Sequence, residues 1–381
     1  LTQGDLTTGL SFYKTKQAMK TPSTINAADL NSIQYPWGDQ LPEKAVPLEL
    51  LPGVRWIRMP LPFALDHINL WLIRDEFNGR VGWTIIDCGI ANDETRAIWE
   101  EIERTQLDGL PVLRVIVTHM HPDHVGLAQW LCDRWQVPLW MSMSDYLTAQ
   151  WLSHDQGGAA IGATPGSGGA ADHFQRHGLS SSEDLEKLRG RADYYKRMVP
   201  GVPKRYRRIM EGEHIEIGGH QWQVIMGYGH APEHASLYCE ELGCFISGDM
   251  VLPRISTNVS VYDAEPDADP LGLYLDSLLK YTALPEDTVV LPSHGKPFKG
   301  LHYRIKQLQE HHVDRLAEAL GACHEPRHAR DIVPVLFKRS LDTHQMSFAM
   351  GEAIAHLNHL WRQGKLRRVL SSDGVWMFCA V

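Results

Sequence analysis

Apolar positions along the chain follow distinct rhythms, and each rhythm predicts its own kind of element. From Leu48 onward, VRWIRMPLP, HINLWLIRD and VGWTIIDCG are short runs rich in β-branched and aromatic residues, broken by FNGR and by Gly89; they predict an antiparallel opening sheet. The period then lengthens. In ANDETRAIWEEIERT, Ile98, Trp99 and Ile102 share one helical face behind Asn92 or Asp93 as cap. LRVIVT is a short, fully apolar strand, and GLAQWLCDRW after it is helical. Strands resume with HIEIGGHQWQVIMG, SLYCEELGCFISGD and TVVLPSHG, and GLHYRIKQLQEHHVDRLAEAL predicts a long helix.

The pattern also divides the chain. Residues 1–47 are polar, punctuated by Pro and Gly, and read as an extended arm with one short helix. Residues 150–212 read as an insertion: a Gly-rich run at 157–171, then the helical SSSEDLEKLRGRADYYKRM with Ser182 as its cap, then the basic KRYRR at 204–208 as a solvated face. In the tail, Met350, Ile354, Leu357 and Trp361 line one helix face, Gly364 stops that helix, and two strands flank an Asp373-Gly374 turn. Helices followed by a terminal hairpin predict a small winged-helix-like domain over 322–381, behind a larger domain over 48–321.

Composition narrows the setting. The chain has 381 residues, 43% hydrophobic and 22% charged, which is ordinary for a globular protein of one large domain with an appendage. No apolar run approaches the ~20 residues of a membrane span, and the first residues hold no signal-peptide core, so no membrane partner is expected. The net charge of −9 argues against binding nucleic acid by overall attraction. Six cysteines without a CxxC pair read as buried free thiols of a reducing cytoplasm.

The chemistry concentrates in VTHMHPDHVG, residues 117–126, where a buried strand gives way to a helix. His119, His121 and His124 with Asp123 crowd imidazole and carboxylate that only a cation would organise. Three other segments put a His or Asp just beyond a β run: GHAPEHASLY with His230 and His234, FISGDM with Asp249, and VVLPSHGKP with His294.

THMHPDH, GHAPEH, SGD and PSHG, in this order, resemble the metallo-β-lactamase superfamily over about residues 48–300. The resemblance implies an α/β fold, an αβ/βα four-layer sandwich of two mixed sheets flanked by helices, with two divalent metal ions at one edge. Zinc is the expected metal, and the carboxylates leave iron or manganese as alternatives. Carried over by motif, His119, His121 and His234 would hold one metal, Asp123, His124 and His294 the second, and Asp249 would bridge them. The preference for His234 over His230 follows the family's histidine after Pro-Gly, here Pro232-Glu233. Glu233 itself reads either as a surface residue or as a carboxylate beside the metals or substrate. The long helix after PSHG, the tail and the strand containing Asn69 are similar to the lactamase-like hydrolases that include the mitochondrial lactamase-beta-like endoribonucleases. Glyoxalase-II-type thioesterases share the metal set but not the tail.

Such a centre implies a hydrolase. A metal-bound hydroxide would attack a small ester, thioester, lactone or related acyl substrate, with Asp123 as the catalytic residue that orients the water or shuttles its proton. The insertion, from Trp151 to Met210, would form a lid, and Tyr194, Tyr195 and Tyr206 would either line the cleft or pack beneath it. Two alternatives stay open. One is an endoribonuclease or phosphodiesterase acting on single-stranded nucleic acid, favoured by KRYRR and RQGKLRR. The other is a non-catalytic, metal-binding regulatory protein. The tail would serve nucleic-acid binding, homodimer contacts or packing alone.

Overall fold

The computed structural model describes residues 32–154, 168–190 and 194–381. The strands β1 (Leu48–Leu51), β2 (Val54–Pro60), β3 (His67–Phe77) and β4 (Arg80–Ile86) pair in order as an antiparallel meander. Helix α1 (Asp93–Thr105) leads to β5 (Val112–Ile116), parallel to β4. The helices α2 (Pro122–Val125) and α3 (Ala128–Trp135) lead on to β6 (Leu139–Met141). After it come α4 (Met143–His154), α5 (Gly168–Arg176), α6 (Ser182–Arg189), α7 (Tyr194–Met198) and β7 (Tyr206–Arg208), which closes a seven-stranded sheet.

A second sheet of five strands has the order β12-β11-β10-β9-β8. Its strands β8 (His214–Ile217), β9 (His220–Gly227), β10 (His234–Cys239) and β11 (Cys244–Gly248) are antiparallel neighbours, and α8 (Pro270–Tyr281) crosses over to β12 (Val289–Pro292), parallel to β11. The chain ends with α9 (Leu301–Ala322), α10 (Ala329–Leu336), α11 (Thr343–Arg362) and the hairpin β13 (Leu366–Leu370) and β14 (Trp376–Ala380).

Three apolar clusters make this a four-layer sandwich. Trp56, Trp71 and Ile116 of the first sheet meet Trp222, Leu237 and Leu291 of the second between the sheets. Helices α1, α3, α4 and α7 cover the outer face of the first sheet, and a third cluster joins the second sheet to α8 and α9. That is why HINLWLI in β3 is apolar almost without alternation: the strand is covered on both faces. Asn92 caps α1, its Oδ1 accepting from the Thr95 N–H at 2.7 Å, and Ile98, Trp99 and Ile102 are buried as their spacing predicts.

Other expectations are adjusted. The described part of the arm, residues 32–47, contains no helix; Gln34 pairs with Lys299. Ser181, not Ser182, caps α6, because its hydroxyl is the one within reach of the Asp184 N–H. Most of the Gly-rich run expected to act as a lid lies outside the described residues; its last residues, Ala170 and Ala171, are buried in α5. The α5–α6 pair packs into the same cluster as α8 to α11 and the terminal hairpin, so the insertion and the tail share one core. The tail helix is capped by Asp342 and Gln345 and stops at Gly364, with φ of 71°.

A buried ion pair ties the two sheets together. The Asp75 carboxylate accepts from Arg114 Nη2 at 2.8 Å, from Thr84 Oγ1 at 2.5 Å and from the Gly218 N–H at 2.9 Å. Arg114 also donates to the Glu216 carbonyl of β8, and its guanidinium lies 4.5 Å from the centre of Phe77 and 4.7 Å from that of Trp140. The two side chains are 0% and 2% exposed, so removing one partner strands the other. Asp75→Ala is expected to cost about 3–5 kcal/mol in urea unfolding, and the pair Asp75→Leu with Arg114→Met to recover most of that. An Asp75→Ala loss below about 1 kcal/mol would show that the pair does not tie the sheets.

Candidate metal centre

The site is built where strands of both sheets end along one edge. Val117 to Gly126 follows β5, His230 lies between β9 and β10, Asp249 follows β11 directly, and His294 follows β12. In a parallel arrangement these strand ends share an edge, and their loops converge above it.

One group of donors is His119, His121, His230 and Asp249, with one ligand atom from each lying within 4.8 Å of the others. His119 Nε2 stands 2.9 Å from His121 Nδ1 and 3.2 Å from His230 Nε2; His121 Nδ1 is 3.0 Å from His230 Nε2. These separations are on the scale of neighbouring ligands around one zinc-sized ion, where bonds of ~2.1 Å put tetrahedral ligands ~3.4 Å apart. The second group is Asp123, His124 and His294. His294 Nε2 lies 3.4 Å from Asp123 Oδ2, and His124 Nε2 3.7 Å from it. Asp249 faces both groups: Oδ1 is 3.5 Å from His294 Nε2, and Oδ2 is 3.3 Å from His230 Nε2 and 3.6 Å from His124 Nε2.

His234, expected in the first group, stands outside it. It is the first residue of β10, in register with Gly227, so the pleat fixes its direction. Its Nε2 accepts the Asp249 N–H at 3.1 Å, and its Nδ1 is 3.3 Å from Ser236 Oγ. The ring lies over Gly248, where a Cβ would come within 2.2 Å of Nε2. His234 therefore props the Asp249 loop, and His230 takes the expected place. Gly229, at φ of 95° and with Pro270 O filling the space of a Cβ, turns the chain so that His230 is aimed inward.

For His294, His230 and His124 the outward ring nitrogen has a fixed partner, which leaves the other nitrogen to face the centre. His294 Nδ1 meets the His67 carbonyl at 2.7 Å, and His230 Nδ1 the Asn258 carbonyl at 2.8 Å. Asp87, just past β4 with φ of 62°, takes His124 Nδ1 at 2.8 Å, the Thr118 N–H at 2.7 Å and the Thr118 hydroxyl at 2.9 Å. Asn69 donates to the carbonyls of Pro292 and Gly295, which frame His294. Asp87 lies outside the four motif segments, although an aspartate directly after the apolar run WTII carries the same signal as Asp249.

Electrostatics divides the centre. Burial, reinforced by the neighbouring rings, holds His119 well below its ordinary value and brings His121 to about 3, so both offer lone pairs. In the second group burial acts in the same direction, but Asp249 and Asp123 outweigh it and raise His294 to about 10. Asp87, Asp123 and Asp249 likewise raise His124, while His124 and His294 hold Asp123 near 2 against its burial. Buried His124 Nε2 and Asp249 Oδ1 have no hydrogen-bond partner. Converging lone pairs, carboxylates and orphaned buried atoms fit divalent cations, which would replace the protons on these rings.

A profile described as "Metallo-beta-lactamase superfamily" matches residues 64–294. The chain belongs to the metallo-beta-lactamase superfamily. A second profile, "Metallo-beta-lactamase-like, C-terminal domain", matches residues 316–381 of this superfamily member. Its structure is similar to that of a beta-lactamase domain protein from Burkholderia ambifaria, 53% identical, with a TM-score of 0.86 over 92% of this chain and 98% of the other. A probable metallo-hydrolase of Bacillus subtilis, YqjP, is 26% identical over 80% of this chain and 91% of its own length. A hydroxyacylglutathione hydrolase of Roseobacter denitrificans is 26% identical over 49% of this chain and 69% of its own. The chain is a metallo-hydrolase of this superfamily.

One further carboxylate holds two ligand loops together. Asp145, fully buried near the start of α4, accepts the Met120 N–H through Oδ1 at 2.8 Å and the Glu233 N–H through Oδ2 at 2.6 Å. Met120 sits between His119 and His121, and Glu233 between His230 and His234. Glu233 answers by accepting the Ser144 N–H at 3.1 Å, and the buried Tyr195 hydroxyl donates to the Met120 carbonyl at 2.6 Å. Glu233 and Tyr195 are thus braces, and Tyr206 stacks on Tyr146 at 3.7 Å. Asp145→Ala is expected to weaken zinc binding about tenfold to a hundredfold in competition with a chromophoric chelator. Asp145→Asn, which keeps one acceptor oxygen, should fall between the two. Unchanged zinc affinity in the folded Asp145→Ala variant would remove the brace from the account.

Proposed function

We propose that this chain is a dinuclear metal-dependent hydrolase of small acyl substrates, thioesters foremost, with zinc as the resident metal. The observation that carries the reading is the pair of donor groups sharing Asp249 at one sheet edge. His119, His121, His230 and Asp249 would hold one ion, and Asp123, His124, His294 and Asp249 the other. Bound divalent ions supply Lewis-acid polarisation of a carbonyl and lower the pKa of water from ~16 to ~7.

The chain's own residues do the rest. Asp123 is more open than Asp249, at 20% against 10% side-chain exposure, and is the carboxylate placed to orient water and carry its proton. Met120, Trp151, Val261, Tyr262 and Leu273 border a cavity of about 360 Å³ that reaches His230 and suits an apolar acyl group. The name of the hydroxyacylglutathione hydrolase relative supports a thioester.

The nucleic-acid alternative finds less support. In the KRYRR run, Arg207 pairs with Glu213 and stacks on Trp140 at 4.2 Å. In the tail, Arg368 is held by Asp267 at 2.7 Å and lies between Trp361 and Trp376. These cations are engaged within the fold.

Zinc-, iron- and manganese-reconstituted protein assayed against thioesters, lactones, phosphodiesters and RNA should turn over thioesters. Asp123→Asn should lower kcat by at least about a hundredfold. Cleavage of RNA without thioester turnover would replace this reading with the nuclease one.

A further inference from the structure

The centre lies between two cavities, both lined largely by apolar surface, and only one of them is bordered by arginine and lysine. On the His230 side is the cavity already described; on the His294 side is a second, of about 560 Å³. The second is bordered by Arg58, Arg254 and Lys296, with His67, Asp39 and His294 completing its polar wall. Tyr35, Leu41 and Ile255 add apolar surface.

The three cations are not equally engaged. Lys296 Nζ donates to Asp39 Oδ1 at 2.6 Å and to the Gly38 carbonyl at 3.0 Å, which pins the segment before β1 as one wall. Arg58 projects from β2 with its side chain only 21% exposed, and its nearest carboxylate is Asp66 at 4.0 Å, beyond hydrogen-bond reach. Asp66 is itself engaged by His67 Nδ1 at 2.5 Å. Among the described residues Arg58 has no hydrogen-bond partner, and Arg254 has neither hydrogen bond nor ion pair. Two arginines border this one cavity, Arg58 largely buried and Arg254 exposed, and guanidiniums with five N–H donors each suit a carboxylate or phosphate. The floor beside His294 is already set: the Gly295 N–H donates to His67 Nε2 at 2.8 Å, and the Gly295 carbonyl accepts from Asn69.

We infer that the cavity bordered by Arg58 and Arg254 is an anion subsite for the leaving half of the substrate. The substrate class is then a thioester that joins an apolar acyl group to a thiol bearing a carboxylate or phosphate. The inference rests on the acyl-hydrolase reading. In the reaction the acyl carbon–sulfur bond breaks and a bond from the acyl carbon to water oxygen forms. The departing sulfur takes one of the water protons, and the carboxylic acid releases the other. The acyl group lies toward His230 and Trp151, the anionic thiol toward His294 and Arg254.

The test uses zinc-loaded protein and the butyryl thioesters of mercaptoethanol, mercaptopropionate and mercaptoethyl phosphate, which are neutral, carboxylate-bearing and phosphate-bearing. Wild type should prefer at least one anionic ester by about tenfold or more in kcat/KM, and Arg58→Gln with Arg254→Gln should bring that ratio close to one. Which anionic ester is preferred tells carboxylate from phosphate. Calorimetric binding of succinate and of inorganic phosphate to the same zinc-loaded proteins runs alongside, and one of them should bind about tenfold more weakly to the double variant. Turnover of all three esters without an anionic preference, or a preference the double variant keeps, overturns the subsite and leaves the hydrolase reading standing. Failure to turn over any ester, with anion binding still weakened by the double variant, overturns the thioester reading and keeps the subsite. Anion binding equal in both proteins, with no turnover, overturns both.

Discussion

Everything at the working edge of this fold follows from one electrostatic demand. Histidine and aspartate side chains from four loops bring their free nitrogens and oxygens to within about the contact distance of ligands on a common ion. Lone pairs that close repel, and two buried atoms there have no hydrogen-bond partner at all. Cations relieve both problems, and the surroundings hold the donors in place for them. Carbonyls of His67 and Asn258 and the carboxylate of Asp87 each fix one ring by its outward nitrogen. Asp145 fixes the backbone from which two other rings hang.

The sheets make this convergence possible because β4, β5, β9, β11 and β12 all end on the same side. β3 runs the other way and spans the sandwich: His67 and Asn69 at its start brace the His294 loop, and Asp75, roughly 25 Å further along, closes the Arg114 ion pair between the sheets. A strand covered on both faces is a stiff rod, and it sets the spacing between the tied end and the working end.

The sequence made much of this legible, and unevenly so. HxHxDH, SGD and SHG each follow an apolar run, so burial pattern and side-chain chemistry pointed to the same places. His230 and His234 could not be separated in that way. Their roles depend on where β10 begins: a residue inside the ladder is aimed by the pleat, and one in the turn before it is free to point elsewhere. Asp145 was hidden, and the role of Glu233 left open, for a related reason, since what they bind is backbone N–H, which has no sequence signature. The Arg58–Arg254 cavity draws on the segment before β1, on β2 and on the loop after Asp249, and no local motif joins them. The tail pattern correctly gave a helix, a stop and a hairpin, yet the packing of α5 and α6 against them depended on contacts remote in sequence.

The proposed ligand set is tested most directly by anomalous scattering at the metal absorption edge, from crystals of the metal-loaded protein. Two anomalous peaks are expected, one on either side of the Asp249 carboxylate. One should lie against His119, His121 and His230, the other against Asp123, His124 and His294, with the His234 ring still accepting the Asp249 N–H. A peak on the His234 ring with His230 turned away, or anomalous density confined to one side of Asp249, would contradict it.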